Sequence, residues 1–187
     1  MKFTVPNILT FIRVLLIPMF VAVVYFPDPW MTSEHSGLLA AIIFIIAAIT
    51  DAFDGYLARK LNQTTAFGAF LDPVADKLMV MAALIVLVDL QRISSIIALI
   101  IIGREITISA LREWMAQIGK SANVAVSTLG KVKTIAQMLA IPFLLYNQTF
   151  LGFIPCHIIG TLCIIIAAFL TLISMFYYLR VAIKVGF

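Results

Sequence analysis

The sequence predicts an all-α integral membrane protein: a six-transmembrane-helix bundle with a polar cavity open to the cytoplasmic side. Three observations lead there. Of 187 residues 63% are hydrophobic and the mean hydropathy is +1.12, so a water-soluble chain of this size would leave apolar surface without cover. The apolar residues fall into six stretches, each near the roughly 20 residues a helix needs to cross hydrocarbon once its polar end is counted in. The cations are unevenly shared among the loops between those stretches. Length sets the expectation of one domain over 1–187.

The stretches run from Ile8 to Phe26, Leu38 to Arg59, Phe70 to Leu90, Ile93 to Met115, Val132 to Tyr146 and Phe153 to Leu179. Breakers separate them at Pro27–Gly37, Asn62–Gly68, Gln91, Gly119–Gly130 and Asn147–Gly152. Pro6, Asn7, Arg13 and Pro18 interrupt any cleavable-leader pattern, so the first stretch is expected to be retained as a span. Pro27–Gly37 and Asn147–Gly152 hold no Lys or Arg, and the turn at Gln91 holds only Arg92. Lys2, Arg59, Lys60, Arg112, Lys120, Lys131, Lys133, Arg180 and Lys184 lie at the opposite ends, which puts both termini on the cytoplasmic face of a multi-pass protein.

In the second, third and fourth stretches the purely apolar runs, Leu38–Ile49, Leu78–Val88 and Ile93–Ile102, are too short to span alone. Their other halves are polar and hold Asp51, Asp54, Arg59, Asp72, Asp76, Lys77, Arg104, Glu105 and Arg112, all toward the cytoplasm in this topology. Ionisable groups at membrane depth face a bundle interior or a wet cavity, which implies a chamber in the inner half of the bundle. A channel would carry polar residues through both halves. His35 and His157 lie toward the outer face, and Cys156 and Cys163, seven apart, have no metal-ligand partners elsewhere. The formal charge of +4 suits an anionic lipid surface, and no nucleic-acid motif is present.

Between Asp51 and Asp76 the chain carries four carboxylates. Asp51 and Asp54 are three apart and Asp72 and Asp76 four apart, so each pair shares a helix face, and a bend between the helices would bring the pairs together. Oxygen ligands without a nearby His or Cys suit a hard cation, magnesium before zinc. Paired metals on such carboxylates can neutralise a diphosphate and hold attacking and leaving oxygens in line. Arg59 adds a cation, and Gly55, Ala58 and Gly68 lack bulk, so a flat base or a phosphate can approach the backbone. Plainer readings exist: Asp72 before Pro73 as a helix N-cap, Arg59 and Lys60 as interfacial side chains, Gly55 and Ala58 as packing positions. The joint spacing of all four acids outweighs them.

Written as D51-x-x-D54-G55-x-x-A58-R59, eight residues, then G68-x-x-x-D72-x-x-x-D76, the stretch resembles the signature of the CDP-alcohol phosphotransferase family at every fixed position and gap. The resemblance implies a metal-dependent transferase of phospholipid biosynthesis. It assigns Asp51, Asp54, Asp72 and Asp76 to a site for two Mg2+ (or Mn2+), Asp76 to the role of general base, and Gly55, Ala58, Arg59 and Gly68 to the CDP-diacylglycerol nucleotide. It also implies a homodimer.

The flanking pieces V5-P-N-I-L-T-F-I-R13, G103-R-E-I-T-I-S-A-L-R-E113 and G130-K-V-K-T134 are similar to bacterial members that use CDP-diacylglycerol and glycerol 3-phosphate in the inner membrane. An acceptor that is itself a phosphate needs cations beside the metal centre, and Arg104, Arg112, Lys131 and Lys133 are the candidates. Arg104 and Arg112 fall on the same half of one helix; Lys131 and Lys133, two apart, point to nearly opposite faces, so at most one of them is expected to face the chamber. Asn7, Thr10 and Arg13 are further candidates, either capping an interfacial segment or touching the nucleotide. Within the family the rival acceptors are inositol phosphate, serine or phosphatidylglycerol. Outside it, the four acids would suit a divalent-cation transporter.

Overall fold

The computed structural model describes residues 5–25, 32–61, 66–119, 128–150 and 152–186. It is all-helical apart from one short hairpin: α1 (Val5–Val24), α2 (Ser33–Leu61), α3 (Ala66–Asp89), α4 (Ser95–Gln117), α5 (Thr128–Tyr146), β1 (Thr149–Phe150), β2 (Ile154–Pro155) and α6 (Cys156–Gly186). Among the described residues two helical stretches, Glu34–Asp51 and Cys156–Arg180, are long and apolar enough to cross a membrane, and Leu9–Val24 and Val132–Tyr146 are shorter apolar helices.

The packing is that of a bundle with an apolar exterior. Small residues lie among large ones at its centre, where Ala40, Ala83 and Ala140 are fully buried beside Phe20, Leu84, Leu87 and Leu144, while Leu15, Ile85, Leu99, Phe169 and Phe176 are exposed. Without a hydrophobic drive between helices, close backbone approach supplies the dispersion energy that holds them. Several hydroxyls inside the helices are satisfied locally: Thr50 donates to the Ile46 and Ala47 carbonyls, Thr107 to Gly103, Ser109 to Glu105 and Thr134 to Gly130.

α5 packs most extensively against α6 and also lies along α2; α1 covers α2 and α3; α4 leans on α6. The contact of α2 with α5 is a backbone contact. A Cβ at Gly37 would stand 2.6 Å from the Leu145 carbonyl oxygen. Gly37→Ala is therefore expected to lower the melting temperature in detergent, by the equivalent of about 1–3 kcal/mol for an overpacked contact. Gly103→Ala, where a Cβ meets nothing within 4 Å, is expected to be neutral or stabilising. Equal melting of the Gly37 variant and its parent would mean that the two helices can separate freely.

The turn between α3 and α4 shows why a lone cation sits among loops otherwise free of Lys and Arg. Gln91 adopts φ +57°, Gln91 N–H donates to Val88 O at 3.0 Å and Arg92 N–H to Leu87 O at 2.9 Å, which closes α3 in a Schellman turn. Ser94 then caps α4, its Oγ accepting from Ile96 N–H at 3.3 Å. So placed, Arg92 donates to the Leu144 carbonyl at 2.9 Å and to the Leu145 carbonyl. It satisfies the carboxyl end of α5, where helix carbonyls lack partners, and burial lowers its pKa from the ordinary guanidinium value. At the same end of the bundle Tyr25 donates to Asp89 at 2.8 Å.

One expectation is corrected. The sixth stretch does not begin as a helix at Phe153: Asn147 (φ +55°) and Gly152 (φ +79°) turn the chain into the β1–β2 hairpin, and α6 starts at Cys156. The plainer reading of Asp72 as an N-cap, which the joint spacing of the acids outweighed, does not hold, because α3 already begins at Ala66 and takes Pro73 into its interior.

Candidate active site

The polar halves of α1 to α5 meet at the end of the bundle opposite Arg92. α1 is the organiser. Thr10 and Arg13 lie three residues apart on one helix face and both are buried. Arg13 pairs with Asp51 on α2, Nη1 to Oδ1 at 2.7 Å, and Thr10 donates to Asp72 on α3. These two motif acids are thus tied to the same two turns of α1. The Arg13 side chain is only 1% exposed against 41% for Asp51, so the buried cation leans on a carboxylate that still reaches solvent. Sequence reasoning linked Thr10 and Arg13 to a cap or a nucleotide; here they contact the motif acids. Arg13 and Asp76 also line one narrow cleft, with Phe44, Ala48, Met79 and Met138.

Beyond Asp76 the cleft side gives way to a polar cavity of about 370 Å³ lined by Pro73, Asp76, Lys77, Arg104, Glu105, Ile108, Ser109 and Arg112. Its cations are held from behind. The Arg104 guanidinium lies 5.7 Å and that of Arg112 5.5 Å from the centre of the Tyr178 ring, so one buried aromatic on α6 fixes both, two turns apart on α4. Arg104 also donates to Ser174 Oγ at 3.3 Å, and Ser174 in turn donates to the Thr171 carbonyl at 2.9 Å. Lys133 on α5 is buried and donates to Glu105 Oε1, which also lies 3.5 Å from Arg104 Nη1. Three buried cations in this half of the bundle, Arg13, Arg104 and Lys133, each have an acidic neighbour, as a low-dielectric interior requires.

Glu105, Ser174 and Tyr178 had no assigned role in the sequence reading. A charged residue inside an apolar stretch was a usable signal for Glu105. Nothing local marks Tyr178, one of two adjacent tyrosines near the end of a long apolar helix. Asp54, Gly55, Ala58 and Arg59 lie on α2, but their side-chain positions, like those of Asn7 and Lys131, are outside the described residues. Gly68 is buried near the start of α3.

The model of the family described as CDP-alcohol phosphatidyltransferase matches residues 3–182. The chain belongs to that family. It is similar to proteins named CDP-diacylglycerol--glycerol-3-phosphate 3-phosphatidyltransferase: 49% identical to the one from Shigella flexneri serotype 5b, over 97% of this chain and 96% of the relative. The relative from Pectobacterium atrosepticum is 51% identical over 97% and 96%, and that from Haemophilus influenzae 52% over 97% and 95%. A CDP-alcohol phosphatidyltransferase is a transferase enzyme, and the all-helical, lipid-adapted packing above is in keeping with that assignment.

The acids of this CDP-alcohol phosphatidyltransferase have the donor chemistry of a hard-cation site: carboxylates from facing helices, with no Cys or His among them. Among the described residues no group of three or more His, Cys, Asp or Glu is close enough to hold an ion, and the remaining motif acid, Asp54, falls outside the described side chains. In this arrangement Arg13 and Thr10 take up oxygens of Asp51 and Asp72.

Proposed function

We propose that the protein transfers the phosphatidyl group of CDP-diacylglycerol to the 1-hydroxyl of sn-glycerol 3-phosphate, giving phosphatidylglycerophosphate and CMP. One observation carries the chemistry: a motif carboxylate, Asp76, shares a cavity with Arg104 and Arg112, so a base and a phosphate-binding wall face the same space. The relatives' names, at about half identity over 97% of the chain, support the choice of substrates.

Asp76 takes the proton of the acceptor hydroxyl, whose oxygen attacks the phosphorus attached to diacylglycerol. The bond from that phosphorus to the CMP oxygen breaks in line, and CMP departs with the electron pair. Arg104, Arg112 and Lys133 hold the acceptor phosphate, two of them as planar donors able to form paired hydrogen bonds. Lys133 is favoured over Lys131 because its ammonium is buried against Glu105, which lines the cavity. Gly55, Ala58, Arg59 and Gly68 receive the nucleotide. Asp51, Asp54, Asp72 and Asp76 would hold two divalent cations, Mg2+ or Mn2+, which would supply charge neutralisation for the diphosphate.

The lipid tails have a path. An apolar groove of about 490 Å³ between α2 and α5, lined by Phe44, Ile45, Ala48, Ile49, Met138 and Pro142 among others, shares Phe44, Ala48 and Met138 with the cleft at Asp76. In our reading the six helices all span a bacterial inner membrane with both termini cytoplasmic, the cavity opens to the cytoplasm, and the protein works as a homodimer. The alternation of the ends, with Arg92 and Asp89 at one and the motif at the other, supports the span count.

Purified protein given CDP-diacylglycerol, glycerol 3-phosphate and Mg2+ is expected to release CMP in step with phosphatidylglycerophosphate. CMP release only with inositol phosphate, serine or phosphatidylglycerol would replace the acceptor. No release with any alcohol, together with ion flux in liposomes, would replace the enzyme by a transporter.

A further inference from the structure

We propose that Glu105 is a positioning residue for the acceptor site: it lines the cavity beside Arg104, and its carboxylate holds the buried Lys133 ammonium next to that wall. The inference rests on the acceptor reading above and adds to it the group that aims the cation. Lys133 is a flexible side chain on α5, 3% exposed, and Glu105 on α4 accepts its hydrogen bond. A lysine side chain has many rotamers open to it, so a partner is needed to keep it in one orientation. Burial adds a second demand: a buried ammonium needs a hydrogen-bonded acceptor, and without the Glu105 carboxylate it would swing away from this position. The acceptor site would then lose a cation.

The two cations at Glu105 depend on it unequally. Arg104 is also held by Ser174 at 3.3 Å and by the Tyr178 ring, so it keeps its place without the carboxylate. For Lys133 the contact with Glu105 is the ion pair that places it. Glu105 itself is 23% exposed and lines the cavity, so an arriving phosphate meets a cation already oriented and a carboxylate that bounds its approach. Removing the carboxylate should act on the acceptor, through Lys133, and leave the nucleotide lipid unaffected.

The test is steady-state kinetics on the full-length protein in detergent, with both substrates varied. Glu105→Gln is expected to raise the KM for glycerol 3-phosphate about 10- to 100-fold, the factor carried by one charge-assisted hydrogen bond, with the KM for CDP-diacylglycerol within about twofold of the parent. Lys133→Met should do the same, and the double variant should be no worse than Lys133→Met alone, because the first substitution acts through the second residue. Glu105→Asp, whose shorter carboxylate reaches Lys133 less well, should recover part of the loss and leave an intermediate KM for glycerol 3-phosphate. If both KM values rise together, or the two substitutions multiply, Glu105 serves packing and the inference fails. Should Glu105→Gln not fold, Glu105→Asp still decides: an intermediate KM for glycerol 3-phosphate supports the role and an unchanged one overturns it. A parent protein that releases no CMP with glycerol 3-phosphate defeats the acceptor reading and this inference with it; an active parent beside unshifted variants defeats only the role of Glu105.

Discussion

Asp76→Asn is expected to reduce CMP release by about 10³-fold or more while the protein stays folded. General-base catalysis accounts for roughly 10²- to 10⁴-fold, and the substitution also removes a carboxylate from the proposed cation site. Folding should be spared for a physical reason. Asp76 borders a cleft whose other walls include Phe44, Met79, Val80 and Met138, an environment in which an ionised carboxylate is poorly solvated. Asparagine keeps the shape and drops the charge, so the melting temperature of the variant should equal or exceed that of the parent, the usual signature of a residue retained for activity at the expense of stability. CMP release by coupled assay and melting in detergent, measured on the same preparation, test both halves. Turnover within about tenfold of the parent would remove Asp76 from the base role.

Stripping divalent cations should have an effect of the same order. Without them, a diphosphate approaching Asp51, Asp72 and Asp76 meets like charges, and several kcal/mol of transition-state stabilisation disappear, on the order of 10³-fold in rate. Activity should fall to background in excess EDTA and return with Mg2+ or Mn2+. The fold should survive the treatment, since Arg13 and Thr10 contact Asp51 and Asp72 directly and hold the three helices without an ion. Adding Mg2+ back should raise the melting temperature, because a ligand that binds only the folded state stabilises it. Undiminished CMP release in chelator would mean that the acids serve those two α1 contacts and not an ion.

Much of this was legible in the chain. Hydropathy alone placed the helices, because a helix needs only a run of apolar residues of sufficient length. The expected stretch from Phe70 to Leu90 became α3 from Ala66 to Asp89, and that from Ile93 to Met115 became α4 from Ser95 to Gln117. The hairpin before α6 was missed, since its signals, Asn147 and Gly152 in left-handed conformations, mark a turn but not the kind of element on its far side. The side chains of Asp54 and Arg59 lie outside the described residues, so the motif is traced in space only through Asp51, Gly68, Asp72 and Asp76.

By itself the sequence determined the class of solvent the protein lives in, the approximate helices, and a set of acids whose spacing resembles one family's signature, because each of these is written in short-range order. Pairing across the bundle was decided by tertiary structure. Arg13 meets Asp51 across 38 positions, Lys133 meets Glu105 across 28, and Arg104 reaches Ser174 across 70. Which partner each buried charge finds depends on helix crossings set by close approaches such as that of Gly37 to Leu145, and periodicity within one helix carries no record of them.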